Sequence, residues 1–152
     1  LVVLADPSGA VLCASQRVGR QGAELVNEPS AWSMSALTTP DLAAVEHFYH
    51  EVFGWQREAY GTTSLWRLPG YVGGEPSQPV PRDVVAVGME GAGDPYWGVD
   101  FWVADADAAA AEAKAAGGSV LVEPFEAGQL PFRQAVLADP DGAAFSISQL
   151  LH

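Results

Sequence analysis

Patterns of apolar residues follow one another in the order strand, helix and three strands in the first half of the chain. Alternation predicts a strand over 32–38, and Thr39-Pro40-Asp41 then reads as a helix start, with Thr39 as the N-cap. Gly54 ends this helix. The apolar stripe of the helix is Leu42, Val45, Phe48 or Tyr49, and Val52. Strands are expected after it at 55–59, 62–68 and 83–89. A turn at Tyr60-Gly61 joins the first two of these strands, and a Pro- and Gly-rich loop at 69–82 precedes the third.

The second half repeats this order with different residues. Asp105 caps an alanine-rich helix that runs to Ala116 and is ended by Gly117-Gly118. Strands are predicted at 97–103, 119–123, 132–138 and 143–150, the last two joined by Asp139-Pro140-Asp141-Gly142, which has strong turn chemistry. The fold class is therefore α+β, with paired βαβββ modules that form a concave mixed β-sheet cup and carry their helices on the outer face.

A short segment at the start of the chain is repeated near its end. Residues 3–16 match residues 136–149 at 9 of 14 positions, at a constant offset of 133. We therefore expect residues 1–16 to be the terminal hairpin of a preceding, missing homologous domain, and 17–30 to be a linker. Residues 31–150 are then the complete domain, with halves at about 31–91 and 96–150. The first hairpin also offers an edge that can pair with another copy, as in a homodimer.

Charge and composition narrow the function classes. The formal net charge of −12 repels a phosphate backbone, so no nucleic acid partner is expected, whereas a cationic ligand is mildly attracted. No stretch is apolar enough for a membrane span, which excludes a membrane partner and predicts a cytoplasmic protein. Cys13 is the single cysteine, so no internal disulfide forms, and it is expected to have a packing role.

Several of these landmarks resemble the vicinal oxygen chelate superfamily, which includes glyoxalase I, extradiol dioxygenases and bleomycin-resistance proteins. The resemblance rests on Phe48-Tyr49 with Val52-Phe53-Gly54-Trp55, on the Asp105 helix that ends at Gly117, and on the Asp139–Gly142 hairpin. It covers residues 30–150 in order. Tandem repetition and the tail from Ala143 are similar to two-module, glyoxalase-like proteins of actinobacteria.

This resemblance implies where a metal would be held. In metal-dependent members, ligands lie seven residues before the helix-leading Asp of each half and four residues after the glycine of the last turn. The corresponding residues here are Met34, Gly98 and Ser146, with Glu90 conceivable as a fourth. A thioether, no side chain and a hydroxyl are poor ligands for a divalent ion, so no cofactor is predicted.

The two helical histidines offer an alternative metal site. His47 and His50 lie beside Glu46 and Glu51 at i, i+4 spacing, but off the apolar stripe. They are interpreted as part of a solvent-exposed polar face. His152 is terminal and is assigned no role.

Strand alternation predicts which side chains line the cup. If Met34 and Gly98 face inward, alternate residues of their two strands also face inward, and so do alternate residues of the closing strand at 143–150. This lining is aromatic and sparsely polar, and Asp100 is its one fixed charge. An inward carboxylate needs a partner, either a ligand or a structural cation such as Arg133. The predicted lining is Trp32, Met34, Ala36, Thr38, Gly98, Asp100, Trp102, Ala144, Ser146 and Ser148.

Two functional hypotheses remain. The first is a metal-free pocket that sequesters a small aromatic or cationic compound, similar to bleomycin-resistance proteins. The second is a lyase, isomerase or hydrolase in which Asp100 is the general base and Ser146 or Thr38 orients the substrate. A variant of the second is a metal-dependent lyase or dioxygenase whose site is completed by the preceding homologous domain or by a partner chain.

Overall fold

The computed structural model describes residues 1–16, 19, 25, 28–60, 63–72, 81–126 and 131–151. Most of the predicted linker, Gly61 of the predicted turn, part of the predicted loop at 69–82, and His152 lie outside these residues. The described residues form two compact units. Unit 1 consists of the described residues within 1–24, 34–74 and 80–97, and unit 2 consists of those within 25–33, 75–79 and 98–152.

Among the described residues, ten strands and two helices follow one another in the predicted order, which confirms the α+β class and the two βαβββ halves. None of the described helices is long and apolar enough to cross a membrane. The elements are β1 (Val2–Ala5), β2 (Val11–Ala14), β3 (Trp32–Thr39), α1 (Leu42–Phe53), β4 (Gln56–Tyr60), β5 (Thr63–Arg67), β6 (Val84–Glu90), β7 (Tyr96–Trp102), α2 (Ala106–Ala115), β8 (Ser119–Glu126), β9 (Phe132–Ala138) and β10 (Ala144–Leu150).

In unit 1, helix α1 packs on a sheet in which the strands are ordered β4-β5-β6-β3. The prediction of Thr39 as N-cap is wrong. Asp41 is the cap, and its carboxylate accepts hydrogen bonds from the backbone N–H groups of Ala43 and Ala44. A carboxylate at this position also interacts favourably with the positive end of the helix dipole. Gly54 ends the helix with φ of 72°, as predicted.

The core of unit 1 is rich in aromatic side chains. Leu42, Val45 and Tyr49 of α1 are buried as predicted, whereas Val52 is 49% exposed and does not belong to the buried stripe. The buried cluster consists of Ala10, Leu37, Leu42, Val45, Tyr49, Trp66 and Ala86.

The N-terminal hairpin, strands β1 and β2, packs against this core. Ala10 is fully buried in it, and Leu12 lies against it. Cys13 is exposed, so its predicted packing role is wrong. In an antiparallel hairpin, neighbouring residues point to opposite faces, and Leu12 takes the inward place next to Cys13.

In unit 2, helix α2 packs on a sheet ordered β7-β10-β9-β8. Asp105 caps the helix as predicted, with its carboxylate accepting from the N–H of Ala108. Strands β7 and β10 are parallel, and Ser146 lies opposite Asp100. The buried cluster of this unit is Ala106, Ala110, Ala135, Leu137 and Ile147. Its small side chains on α2 let the helix lie close to the sheet.

We expect Gly118→Ala to destabilise the domain by about 1–3 kcal/mol, because the added methyl group meets backbone atoms that cannot rotate away. A Cβ at Gly118 would lie 2.6 Å from the carbonyl oxygen of Ala138 and 3.2 Å from that of Ala113. Urea unfolding measures the effect. Ser119→Ala is the control, since Ser119 is the next residue, is exposed, and gains no atom on substitution. Equal losses in the two variants would contradict this close packing.

Candidate functional site

A buried carboxylate surrounded by serine hydroxyls is the main polar feature of unit 2. Asp100 lies on β7 and is only 7% exposed. Ser148 of β10 donates its hydroxyl to Asp100 Oδ1 at 2.9 Å, and Ser33 donates to Asp100 Oδ2. Gln134 of β9 in turn donates from Nε2 to Ser148 Oγ at 3.0 Å. This chain of bonds fixes the Ser148 hydroxyl so that its proton points at the carboxylate.

The environment of Asp100 favours its neutral form. Burial raises the pKa of this carboxyl, while hydrogen bonds from Ser33, Ser146 and Ser148 lower the pKa and offset part of that shift. The net effect is a pKa above the ordinary value of 3.8. Asp100 is therefore a carboxyl group whose protonation is readily changed by a ligand or by a change of pH.

Arg133 does not pair with Asp100, which corrects the expected structural partner. Its guanidinium donates from Nε and Nη2 to the carboxylate of Asp107, at 2.6 and 2.8 Å. Arg133 and Gln134 are neighbours on β9 and therefore point to opposite faces of the sheet. Gln134 is on the face of Asp100, and Arg133 is on the face covered by α2. The side chains bonded to Asp100 are thus hydroxyls rather than a cation.

We expect Asp100→Asn to remove one pH-dependent component of the stability. The folded-state pKa lies above the unfolded value, so the folded state binds the proton first as pH falls. The contribution of Asp100 to the free energy of unfolding therefore rises as pH falls through its raised pKa towards 3.8, and is lost again as pH increases.

Urea unfolding of both chains between pH 7 and pH 4 measures this component as their difference. The free energy of unfolding of the native chain, minus that of the asparagine variant, should increase as pH falls. A difference that shrinks as pH falls would show that the ionised carboxylate is the favoured form in the folded state.

Two tryptophans expected in the lining have different surroundings. Trp102 is 8% exposed and packs edge-on against Phe132, with ring centroids 5.3 Å apart. Within the described part of the chain, its indole Nε1 has no hydrogen-bond partner. A buried N–H without an acceptor is costly to the folded state. Trp32 is 40% exposed and can present its ring to solvent or to a ligand.

Comparison with known proteins assigns this chain to a family. The model of the glyoxalase-like domain family matches residues 34–148, which include Asp100 and Ser146. The chain belongs to the glyoxalase-like domain family. This confirms the predicted superfamily.

Relatives of this glyoxalase-like domain occur in actinobacteria. The anthracycline biosynthesis protein DauV of Streptomyces sp. (strain C5) is 32% identical over 99% of this chain and 52% of its own length. The putative glyoxylase CFP32 of Mycobacterium tuberculosis is 37% identical over 95% of this chain and 53% of its own length. The chain thus spans about half the length of these relatives.

Solved structures support the fold. The Mn(II)-bound glyoxalase from Novosphingobium aromaticivorans has a TM-score of 0.56 and 18% identity, over 80% of this chain and 39% of that one. Methylmalonyl-CoA epimerase from Mycobacterium tuberculosis has a TM-score of 0.53 and 15% identity, over 80% and 88% of the two chains. At these identities the similarity shows the vicinal oxygen chelate fold alone.

The residues of this glyoxalase-like domain do not fit a metal at the positions that the family implies. Gly98 provides no donor atom, and Met34 provides only a thioether. Ser146 Oγ lies 3.4 Å from the carbonyl oxygen of Val99 and also hydrogen-bonds to Asp100. Glu90 is exposed at the end of β6. Among the residues that the structure describes, no three His, Cys, Asp or Glu side chains are grouped as metal ligands.

The helical histidines are exposed, as predicted. Glu46, the proposed partner of His50, instead forms an ion pair with Arg57 at 2.8 Å. His50 Nδ1 lies 3.2 Å from the carbonyl oxygen of Trp55. Glu46 and His50 therefore contact other groups of the protein rather than one another.

The structure brings together only part of the predicted site. Asp100, Ser146 and Ser148 form one cluster, and Trp102 and half-buried Gly98 lie on the same strand as Asp100. Two of its members, Ser33 and Gln134, were not predicted. Alternation along β9 would have found Gln134. Alternation along β3, in contrast, directs Ser33 to the face opposite to that of Trp32 and Met34, which were the residues expected in the lining. Met34 and Thr38 lie half-buried on β3 in unit 1, where Ala36 is also half-buried, and Ala144 is exposed.

Proposed function

We propose that this domain binds a small planar aromatic metabolite without a metal ion, and that the Asp100 cluster is its polar anchor. The observation that carries the proposal is a carboxyl of raised pKa held by three serines on a sheet face. Burying such a group costs free energy that a ligand can return by donating to it or accepting from it. The half-buried Ser146 hydroxyl is the most accessible end of the cluster.

Aromatic character of the ligand is supported by two observations. The first is that Trp32 leaves 40% of its surface exposed. Rings of this kind stack on flat apolar molecules. Two relatives are named as anthracycline biosynthesis proteins, and anthracyclines contain planar fused rings. The net charge of −12 further disfavours an anionic ligand.

Fluorescence titration with 1,4-dihydroxyanthraquinone tests this proposal, because Trp emission reports stacking and the probe has both donors and acceptors. Saturable 1:1 binding is expected. Trp32→Ala and Ser146→Ala should each weaken it about tenfold, which corresponds to about 1.4 kcal/mol. His47→Ala, on the exposed face of α1, is the matched control and should bind like the native chain.

The titration is repeated after chelation and after addition of Zn, Mn, Ni or Fe(II). Unchanged affinity supports the metal-free site. One retained equivalent of metal, together with binding that requires it, would overturn the proposal. Native affinity in both the Trp32→Ala and the Ser146→Ala variant would also overturn it, since the probe would then bind elsewhere.

A second candidate is proton-transfer catalysis, favoured by the raised pKa of Asp100. The ionised carboxylate would take a proton from a carbon next to a carbonyl group, and Ser146 would donate a hydrogen bond to the resulting oxyanion. The carboxyl exchanges this proton with solvent and then delivers a solvent-derived proton back to the carbon, so that no net charge or bond is left unaccounted for.

Exchange of such a C–H in D₂O, followed by NMR, distinguishes catalysis from binding. Deuterium incorporation that is lost in Asp100→Asn supports the enzyme, while binding without exchange supports sequestration.

A further inference from the structure

The two repeated hairpins form the same turn. Asp6 and Asp139 each donate from the backbone N to the carbonyl of the residue four positions later, at 3.0 and 3.1 Å. Each also accepts at its carbonyl from the glycine three positions later, at 2.9 Å in both. In both turns, Oδ1 accepts from the N–H of the residue four positions later, Ala10 or Ala143. The second carboxylate oxygen is thereby left pointing away from the turn.

In the first hairpin this free oxygen binds helix α1. Tyr49 donates its hydroxyl to Asp6 Oδ2 at 2.7 Å, and the same hydroxyl accepts from Trp97 Nε1 at 2.9 Å. Asp6 is 5% exposed, and Ala10 is fully buried in the core of unit 1. The tip of the hairpin therefore fits a seat consisting of a tyrosine hydroxyl and an apolar surface.

The tip of the second hairpin lacks such a seat. Asp139 and Ala143 are both exposed. Among the described residues, no side chain donates to Asp139 Oδ2. The same preformed turn is thus buried in one copy and solvated in the other.

We infer that the tip at 139–143 docks on the first helix of a second glyoxalase-like module, which carries a tyrosine at the position of Tyr49. That tyrosine would donate to Asp139 Oδ2, and an apolar seat would cover Ala143. The first hairpin shares 9 of 14 residues with the second and docks on a helix of a glyoxalase-like module, so we expect the second hairpin to dock on the same kind of helix. The curated relatives are about twice as long as this chain, which leaves room for a second module. Two modules that exchange hairpins in this way form a self-complementary interface.

A hairpin exchange in the 152-residue chain is the first test. The substitutions Ser8→Asp, Val11→Ala, Leu12→Phe, Cys13→Ser and Ala14→Ile give residues 3–16 the sequence of 136–149. A double-mutant cycle of Asp6→Asn and Tyr49→Phe is then measured by urea unfolding in the native and exchanged chains. Coupling of about tenfold in the unfolding constant is expected in both. Loss of coupling in the exchanged chain alone would overturn the inference.

Self-association of an Ala10→Glu variant of the 152-residue chain is the second test. A glutamate cannot remain in the fully buried place of Ala10, so the first hairpin leaves its seat and Tyr49 becomes available. In sedimentation under reducing conditions we expect a dimer, at concentrations at which the native chain is monomeric. Adding Asp139→Asn should weaken the dimer at least tenfold.

A folded Ala10→Glu variant that stays monomeric, or a dimer indifferent to Asp139→Asn, would overturn the inference. Circular dichroism verifies that the variant is folded. If it is not, the hairpin exchange decides the question alone.

Discussion

Replacing Trp66 by alanine is expected to lower the free energy of unfolding by about 3–5 kcal/mol, which is the largest effect we anticipate for a single substitution. Trp66 is fully buried, and its ring centroid lies 5.2 Å from that of Tyr49. Gly88 has no side chain at this point, and a Cβ there would lie 3.0 Å from Trp66 Nε1 and 2.8 Å from Leu42 Cδ2. The surroundings are thus shaped to the indole and cannot readily fill the space it leaves.

Urea unfolding at pH 7 measures this loss. Trp32→Ala is the matched control, because Trp32 is 40% exposed and its removal leaves no enclosed cavity. It should cost much less stability while weakening ligand binding. Similar losses for the two variants would mean that Trp66 is not the centre of the core.

Ser148→Ala is expected to lower the free energy of unfolding by about 1–3 kcal/mol, because it leaves a buried carboxyl oxygen of Asp100 without its donor. The Ser148 side chain is 2% exposed and bonds to both Asp100 and Gln134. Without it, the carboxylate loses one of its donors in a place that water hardly reaches. In the Asp100→Asn background the same substitution should cost only about 0.5–1.5 kcal/mol, since an amide group at this position does not present the carboxyl oxygen that Ser148 contacts.

Ser15→Ala is the control for Ser148→Ala, because Ser15 occupies the equivalent position of the first repeat and is exposed. It should leave the free energy of unfolding within about 0.5 kcal/mol of the native value. Urea unfolding at pH 7 of the native chain, the three single variants and the Asp100→Asn, Ser148→Ala double variant provides the comparison. An equal cost of Ser148→Ala in both backgrounds would show that the hydrogen bond to the Asp100 carboxyl does not account for the loss.

Local patterns were sufficient to predict most elements of the fold. Strand β9 (Phe132–Ala138) agrees residue for residue with the prediction, and Asp105 and Gly54 mark helix ends as expected. These features depend on the period of apolar residues and on capping chemistry, which act between residues close together in the chain. The error at Thr39 arises because Thr39 and Asp41 both favour an N-cap, and β3 continues through Thr39.

The candidate site was predictable only where it follows alternation along a strand. Asp100, Ser146 and Ser148 were expected on one face, and both serines hydrogen-bond to Asp100. Ser33 was not expected, since it lies 67 residues from Asp100 and the prediction directed Trp32 and Met34, rather than Ser33, into the cup. Arg133 was offered as a structural partner of Asp100, but its strand position directs it to Asp107 on α2.

The sequence by itself determined the order of the elements, the two βαβββ halves, the repeated hairpin and the family. Periodicity, capping residues and turn chemistry are local, and they are written directly in neighbouring residues. Only the tertiary structure decided that Asp6 binds Tyr49, that Ser33 and Gln134 complete the Asp100 cluster, and that one hairpin tip is buried while its copy is exposed. These features depend on contacts between residues distant in the chain, whose distances and burial are set by how helices and strands pack.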